Sequence, residues 1–228
     1  MATAPFPPTT VVPVAGTPLE ADLVVPAGAA GVVAVAAPGA GRVDPRCRYL
    51  AAQLTAGGFS TLLVDLITES DEGSGRIRAP ETELELIATR LEDAVRWLRS
   101  QSRTAALPVG IHASGAAAAA GLIVAARAAG EVTAVVAAGG RPDLAGAALE
   151  RVQAPVLIVV GGADDVLRAL AERARDRLGA RAELHVVAGA GQRFDEPGAL
   201  DEANDLAVAW FQRHLGRAAV IGPRLWLG

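Results

Sequence analysis

The sequence predicts a single α/β domain built on a mostly parallel, doubly wound sheet of about eight strands flanked by helices. Its 228 residues suit one such domain with a sizeable core. Apolar residues make up 51% of the chain and aromatic residues only 4%, so small side chains dominate and helices can lie close to a sheet. After two leading strand patterns, short apolar runs alternate with segments of helical periodicity, which is typical of repeated strand–helix–strand units.

The N-terminal half supplies four strands and two helices. Continuous apolar runs are typical of strands buried on both faces, whereas helices are predicted where apolar residues recur every three or four positions. Pro45 is well placed to open a helix. In order, we expect a flexible, proline-rich tail at 1–10, strands at 11–14, 19–25 and 31–37, a helix at 45–57, a strand at 61–66, a polar loop at 68–78 and a helix at 82–98.

The C-terminal half continues the alternation. In order, we expect a strand at 108–113, an alanine-rich helix at 116–129, a strand at 132–138, a short helix at 143–152, a strand at 155–160, a helix at 166–178, a strand at 183–187 and a helix at 199–214. The domain then spans residues 11–215, and residues 216–228 form a C-terminal tail. Ligands of such sheets bind at the carboxyl ends of the strands, which is where we expect the site.

Composition excludes several functions. The net charge of −4 argues against nucleic acid or an anionic membrane as a partner. Every basic residue is arginine, so neither Schiff-base chemistry nor a P-loop lysine is available. Cys47 is the one cysteine, so we expect no intramolecular disulfide and no cysteine-based zinc site. Adjacent acids such as Asp164-Asp165 diverge in direction, and Gly39-Ala40-Gly41 lacks the third glycine of a dinucleotide-binding turn, so we expect neither a metal site nor a cofactor. No secretory leader and no run long enough to span a membrane is evident, so we expect a cytoplasmic protein.

Six local strings along the chain carry more information than the alternation of elements. They are Pro45-Arg46-Cys47-Arg48-Tyr49, Thr61-Leu62-Leu63-Val64-Asp65-Leu66, Gly139-Gly140-Arg141-Pro142-Asp143-Leu144, Val160-Gly161-Gly162-Ala163-Asp164-Asp165, Glu196-Pro197-Gly198-Ala199-Leu200 and Trp210-Phe211-Gln212-Arg213-His214-Leu215. In their order and spacing, the chain from Leu19 to Leu215 resembles the dienelactone-hydrolase-like branch of the α/β hydrolases. The resemblance implies an α/β-hydrolase fold without a large lid domain. It also implies ester or lactone hydrolysis by a nucleophile, an acid and a histidine, with the nucleophile on a Gly-x-Ser-x-Gly elbow.

Of the three catalytic residues that the resemblance implies, only the acid is present at its expected position, as Asp164. An aspartate there is equally consistent with a cap of the following helix. Gln192 stands where the family has its catalytic histidine, and glutamine cannot carry a proton at neutral pH. Counted without a gap, Gly115 stands at the nucleophile position. With a one-residue deletion, Ser114 takes that position and His112 lies on the same side of the strand, as an improvised partner or as a packed residue.

Other polar residues are expected near the same cleft. Asp65, Arg42, Arg46, Arg141 and Arg193 either hold a carboxylate or phosphate of a small-molecule ligand or form ion pairs that fix the loops. Cys47 lies between two arginines, which would lower its thiol pKa if they were close. The usual oxyanion loop is altered as well, because Ala36-Ala37-Pro38-Gly39 replaces the family's His-Gly.

Three functions follow from this degenerate triad. The first is a pseudoenzyme that binds a ligand or assembles with a partner, either a protein or a second copy, through the apolar tail at 218–227. The second is a non-hydrolytic enzyme that promotes cyclisation, elimination or isomerisation in the same pocket. The third is a working esterase or acyl hydrolase that uses Ser114, with His112 or a water relay.

Overall fold

A computed structural model describes residues 9–14, 17–37, 41–73 and 79–216. Its eight-stranded sheet has the order β1-β2-β4-β3-β5-β6-β7-β8. The strands are β1 (Thr9–Val12), β2 (Leu19–Val24), β3 (Val32–Ala37), β4 (Ser60–Asp65), β5 (Val109–Ser114), β6 (Val132–Ala138), β7 (Val156–Gly161) and β8 (Ala182–Val187). The helices are α1 (Pro45–Ala56), α2 (Glu69–Gly73), α3 (Pro80–Ser100), α4 (Ala117–Arg127), α5 (Asp165–Leu178) and α6 (Ala199–Leu215).

The predicted, mostly parallel sheet of about eight strands is confirmed. Strands β3 to β8 pair in parallel, and only β1 and β2 run antiparallel to their neighbours. Because parallel strands need crossover connections, helices cover both faces of the sheet. Helices α1 and α6 pack on one face, whereas α3, α4 and α5 pack on the other. The carboxyl ends of β3 to β8 therefore lie at the same edge of the sheet.

The boundaries differ from the sequence prediction in three places. The first strand begins at Thr9, so it includes the last two residues of the tail predicted at 1–10, and residues 1–8 lie outside the described residues. The predicted polar loop contains the short helix α2. The predicted helix before β7 is a 3₁₀ segment, Pro142–Arg151, which bends at Gly146 (φ 54°, ψ −133°). The C-terminal tail, including Trp226, lies outside the described residues apart from Gly216.

A buried ion pair explains the second difference. Asp71 of α2 and Arg90 of α3 are 1% and 2% exposed. The two Arg90 guanidinium nitrogens donate to the two Asp71 oxygens at 2.6 and 2.9 Å, and Arg90 also donates to the Leu66 carbonyl at 2.7 Å. These hydrogen bonds hold the pKa of Asp71 well below its usual value. They tie the segment after β4 to α3.

None of the helices in the described part of the chain is long and apolar enough to cross a membrane.

Candidate functional site

One face of β5 directs its side chains toward the α1–α6 layer. Val109, Ile111 and Ala113 pack into the opposite core, so the alternation of the strand leaves Gly110, His112 and Ser114 on the α6 side. A Cβ at Gly110 would lie 2.6 Å from the Phe211 ring. Because Gly110 has no side chain, α6 can lie against β5 at this point. His112 and Ser114 lie on the same face of β5, nearer its carboxyl end.

The strand ends in a tight turn at Gly115, which has φ +57° and is separated from α4 only by Ala116. Its N–H donates to the Ala138 carbonyl at 3.2 Å. Two glycines after β6 crowd this turn. A Cβ at Gly140 would lie 2.0 Å from the Gly115 carbonyl oxygen, and one at Gly139 would lie 2.5 Å from the Gln192 carbonyl oxygen. The Gly-Gly turn thus holds both the β5–α4 turn and the loop after β8 in close contact.

A cavity of about 340 Å³ opens beside this turn. It collects residues from β3, α1, β5, β6, the loop after β8 and α6. Its lining comprises Val35, Ala37, Asp44, Arg46, Cys47, Leu50, His112, Ser114, Gly115, Ala138, Gln192, Arg193, Phe194, Leu200, Ala203 and Asn204. Five predicted site residues, namely Ser114, His112, Gln192, Arg46 and Arg193, therefore share one cavity.

The loop that carries Gln192 is tightly folded. Gly161 at the end of β7 leaves no space for a side chain, because its Cβ would lie 2.3 Å from the Ala190 carbonyl oxygen. Phe194 has φ +54°, and its N–H donates to the Gly191 carbonyl at 3.2 Å. This backbone conformation is unfavourable for a non-glycine residue, and packing offsets the cost by burying Phe194 in the cavity wall.

The charges at the cavity mouth are already paired. Arg46 forms an ion pair with Asp195, and its guanidinium also donates to the Arg193 carbonyl at 3.3 Å. Arg193 reaches the same carboxylate, with Nε 3.3 Å from an Asp195 oxygen. Asp44 accepts from the Arg46 N–H at 2.8 Å and so caps α1. The two positive and two negative charges at the cavity mouth therefore cancel.

Two polar side chains in the cavity lining are buried, and each has one nitrogen without a hydrogen-bond partner in the described structure. His112 is 5% exposed and Asn204 is 4% exposed. Within the described residues, neither His112 Nδ1 nor Asn204 Nδ2 has a hydrogen-bond partner. Burial lowers the pKa of His112 to about 4, so its imidazole is neutral at physiological pH. Elsewhere in the described chain, buried side-chain atoms of Gln53, Ser60, Trp210 and His214 are also unpaired, but of these six residues only His112 and Asn204 line the cavity. A ligand or water in the cavity can therefore supply the partners that these two side chains lack.

Sequence reasoning missed Asn204. The pattern that would have found it is the spacing of Ala199, Ala203 and Ala207, which marks the buried stripe of α6. Asn204 lies on that stripe, where an unpaired polar residue is unexpected in a helix that only packs against a sheet.

Asp164 does not line the cavity. It is exposed and caps α5, accepting from the N–H groups of Val166 and Leu167 at 2.9 and 3.0 Å. The loop after β8 crosses next to it, since the Ala163 N–H donates to the Ala190 carbonyl at 2.9 Å.

Three other predicted binding residues also lie outside the cavity lining. Asp65 accepts from the Arg42 N–H at 2.8 Å, and the Arg42 guanidinium contacts Glu20 and Asp22 as well. Arg141 forms a two-point contact with Asp143, with both distances 2.7 Å. These contacts are the ion pairs that the sequence left open as the alternative to ligand binding.

The environment of Cys47 opposes the expected reactivity. Burial raises the pKa of this thiol to about 12, and Asp44 adds to the shift, which outweighs the opposite effect of Arg46. The expectation of a lowered pKa is therefore wrong, because desolvation dominates over the neighbouring guanidinium.

Within the described ranges, no three His, Cys, Asp or Glu side chains are grouped so as to hold a metal ion. Residues 38–40, which follow β3 where the family has its oxyanion loop, lie outside those ranges.

The sheet order, the two helical layers and a cavity at the strand ends define the α/β-hydrolase fold. The family model described as the dienelactone hydrolase family matches residues 19–215. The chain belongs to that family, as the resemblance in its sequence predicted.

Solved structures agree with this assignment. A dienelactone hydrolase from Anabaena variabilis is 39% identical, with a TM-score of 0.85 over 93% of this chain and all of that chain. An esterase domain of a Rhodothermus marinus protein is similar at the level of the fold, with 16% identity, a TM-score of 0.72 and coverage of 92% and 99%.

Curated relatives from Mycobacterium tuberculosis, provisionally named phosphoribosyl transferases, are 44% identical over 199 residues. That match covers 87% of this chain but only 44% of theirs, so the chain spans less than half the length of these relatives.

Proposed function

We propose that this chain is a non-hydrolytic member of the dienelactone hydrolase family, which binds a small molecule or serves as an assembly component. The observation that carries the proposal is Gly115. Its φ of +57° lies in the turn that joins β5 to α4, where the family presents its nucleophile. Glycine has no side chain to attack a carbonyl carbon, and Ala113 and Ala117 are the small neighbours that such an elbow requires.

The remaining members of the triad support the same proposal. Gln192 lies in the cavity wall, but its amide cannot accept and return a proton as a general base must. Asp164 is already used as the cap of α5 and does not line the cavity. A serine hydrolase depends on the base about as strongly as on the nucleophile, so losing both leaves little acyl transfer.

The cavity itself is retained although the catalytic groups are not. Its lining combines apolar side chains with the polar groups of His112, Ser114, Gln192 and Asn204 and with the charges at its mouth, and small-molecule sites usually join an apolar wall to placed polar groups. Binding of a protein partner or of a second copy of the chain through the C-terminal tail stays a prediction.

Reaction with a serine-directed fluorophosphonate tests the proposal. We expect no adduct by mass spectrometry and no turnover of short-chain esters by the unsubstituted protein. Ser114→Ala identifies any reaction at the cavity serine, and Ser100→Ala, an exposed serine on α3, is the matched control. Labelling at Ser114, with turnover that Ser114→Ala abolishes and Ser100→Ala keeps, would contradict the proposal.

A hydrolase that uses Ser114 is the second candidate, because Ser114 and His112 line the same cavity. Against it, no hydrogen bond joins the two side chains in the described structure, and His112 Nδ1 is unpaired. A non-hydrolytic enzyme would instead turn over a substrate without forming any acyl adduct.

We do not expect phosphoribosyl transfer, the activity in the name of the mycobacterial relatives, from this chain alone. The similarity lies within a chain of dienelactone hydrolase fold and leaves more than half of those relatives unmatched. A phosphoribosyl-transfer assay on the purified chain checks this, and activity would overturn the assignment.

A further inference from the structure

We propose that the cavity binds a small uncharged molecule with an apolar body, whose hydroxyl or carbonyl oxygen contacts His112 and Asn204. This inference rests on the proposed function, since it assigns a ligand to a cavity that does not hydrolyse one. It starts from the unpaired Nδ1 of His112 and Nδ2 of Asn204, both on side chains that are more than nine-tenths buried. Burying such groups without partners costs free energy, and a ligand that forms hydrogen bonds with them recovers part of that free energy as binding.

The hydrogen-bonding capacities of the two side chains select oxygen as the ligand atom. Asn204 Nδ2 is a donor and requires an acceptor. A neutral imidazole carries one proton, so His112 Nδ1 either accepts or donates. A hydroxyl accepts from Asn204 and donates to His112, whereas a carbonyl oxygen accepts from both when Nδ1 carries the proton. An ammonium or amine hydrogen cannot serve Asn204 at all.

The charges around the cavity select an uncharged ligand. Burial keeps His112 neutral, so it offers no cation for a carboxylate. At the mouth, Arg46 and Arg193 both contact Asp195, and Asp44 adds a further negative charge. An anionic ligand would have to break these pairs and lose its own hydration, which is costly in a partly closed site.

The apolar lining sets the rest of the ligand. Leu50, Phe194 and Leu200 contribute large hydrophobic side chains to a cavity whose 340 Å³ lies near the lower end of ligand pockets. This space suits a compact, single-ring molecule better than an extended one.

Titration calorimetry with benzyl alcohol, toluene and benzoate separates these features on the full chain. We expect benzyl alcohol to bind roughly tenfold more tightly than toluene, because one well-made buried hydrogen bond is worth about that factor, and benzoate to bind more weakly than either. Asn204→Leu should reduce the preference for the alcohol, because only the contact with His112 is then left. Gln53→Leu is the matched control, because Gln53 Oε1 is also buried and unpaired but does not line the cavity.

A second measurement guards against a variant that fails to fold. In the unsubstituted protein, the ¹⁵N resonance of His112 Nδ1 should shift with benzyl alcohol and stay with toluene. Toluene binding as tightly as the alcohol, benzoate binding more tightly, or no binding of any probe at millimolar concentration would overturn the proposal. Hydrolysis of phenyl acetate by the same samples would contradict only the non-hydrolytic function and would leave the ligand assignment standing.

Discussion

Replacing Gly140 with alanine tests how closely the β5–α4 turn is packed against the Gly-Gly turn after β6. The alanine Cβ would lie 2.0 Å from the Gly115 carbonyl oxygen, an impossible contact with backbone atoms. Gly140 also has φ +78°, which alanine tolerates poorly. Gly130, which precedes the same strand, has φ +89° but open space around its Cβ position, so Gly130→Ala is a matched control.

The magnitudes follow from these two differences. The left-handed conformation costs alanine about 1–2 kcal/mol at either position. Overpacking at Gly140 adds about 1–3 kcal/mol, because the turn must move to relieve the contact. We therefore expect Gly140→Ala to lower the free energy of unfolding by roughly 2–5 kcal/mol and Gly130→Ala by only about 1–2 kcal/mol.

Urea unfolding followed by tryptophan fluorescence and circular dichroism measures both losses. The slopes with urea should agree among the three proteins, so that the midpoints report stability directly. Equal destabilisation by the two alanines would refute the close contact between Gly140 and Gly115. It would mean that the positive φ of Gly140, and not its contact with Gly115, accounts for the whole loss of stability.

Three further predictions concern single side chains. Asp71→Asn leaves the Arg90 guanidinium buried without its ion-pair partner and should cost about 3–5 kcal/mol in urea unfolding. Because the folded pKa of Asp71 is lowered, its stabilisation is present above the unfolded pKa of about 4 and is lost as the pH falls below it, so the variant should show a flatter acid limb. Asp164→Ala removes the cap of α5 and should cost about 1 kcal/mol while benzyl alcohol affinity is unchanged; a clear loss of affinity would place Asp164 in the site. Burial raises the pKa of Cys47 to about 12, so a thiol reagent at pH 8 should react far more slowly with the native than with the urea-unfolded chain, and equal rates would contradict its burial.

The sequence alone was sufficient for the fold and the family. Continuous apolar runs and helical periodicity are local properties, so they identified eight strands and their long helices, and they placed a short helix at 143–152, which is a 3₁₀ segment in the structure. The helix α2 was missed, because it has only five residues and is held by the contact between Asp71 and Arg90, which periodicity does not register.

The site was only partly predictable, because a cavity is formed by residues that are distant along the chain. The family resemblance, together with the position of the strand ends, brought His112, Ser114 and Gln192 to one place, but the same reasoning suggested Asp65 and Arg141, which form ion pairs outside the cavity. The backbone angle of Gly115 and the missing hydrogen-bond partner of Asn204 exist only in the folded molecule. Sequence therefore determined which elements form and which chemical groups are available. Tertiary packing decided which of those groups are buried, which are paired and which are left facing the cavity.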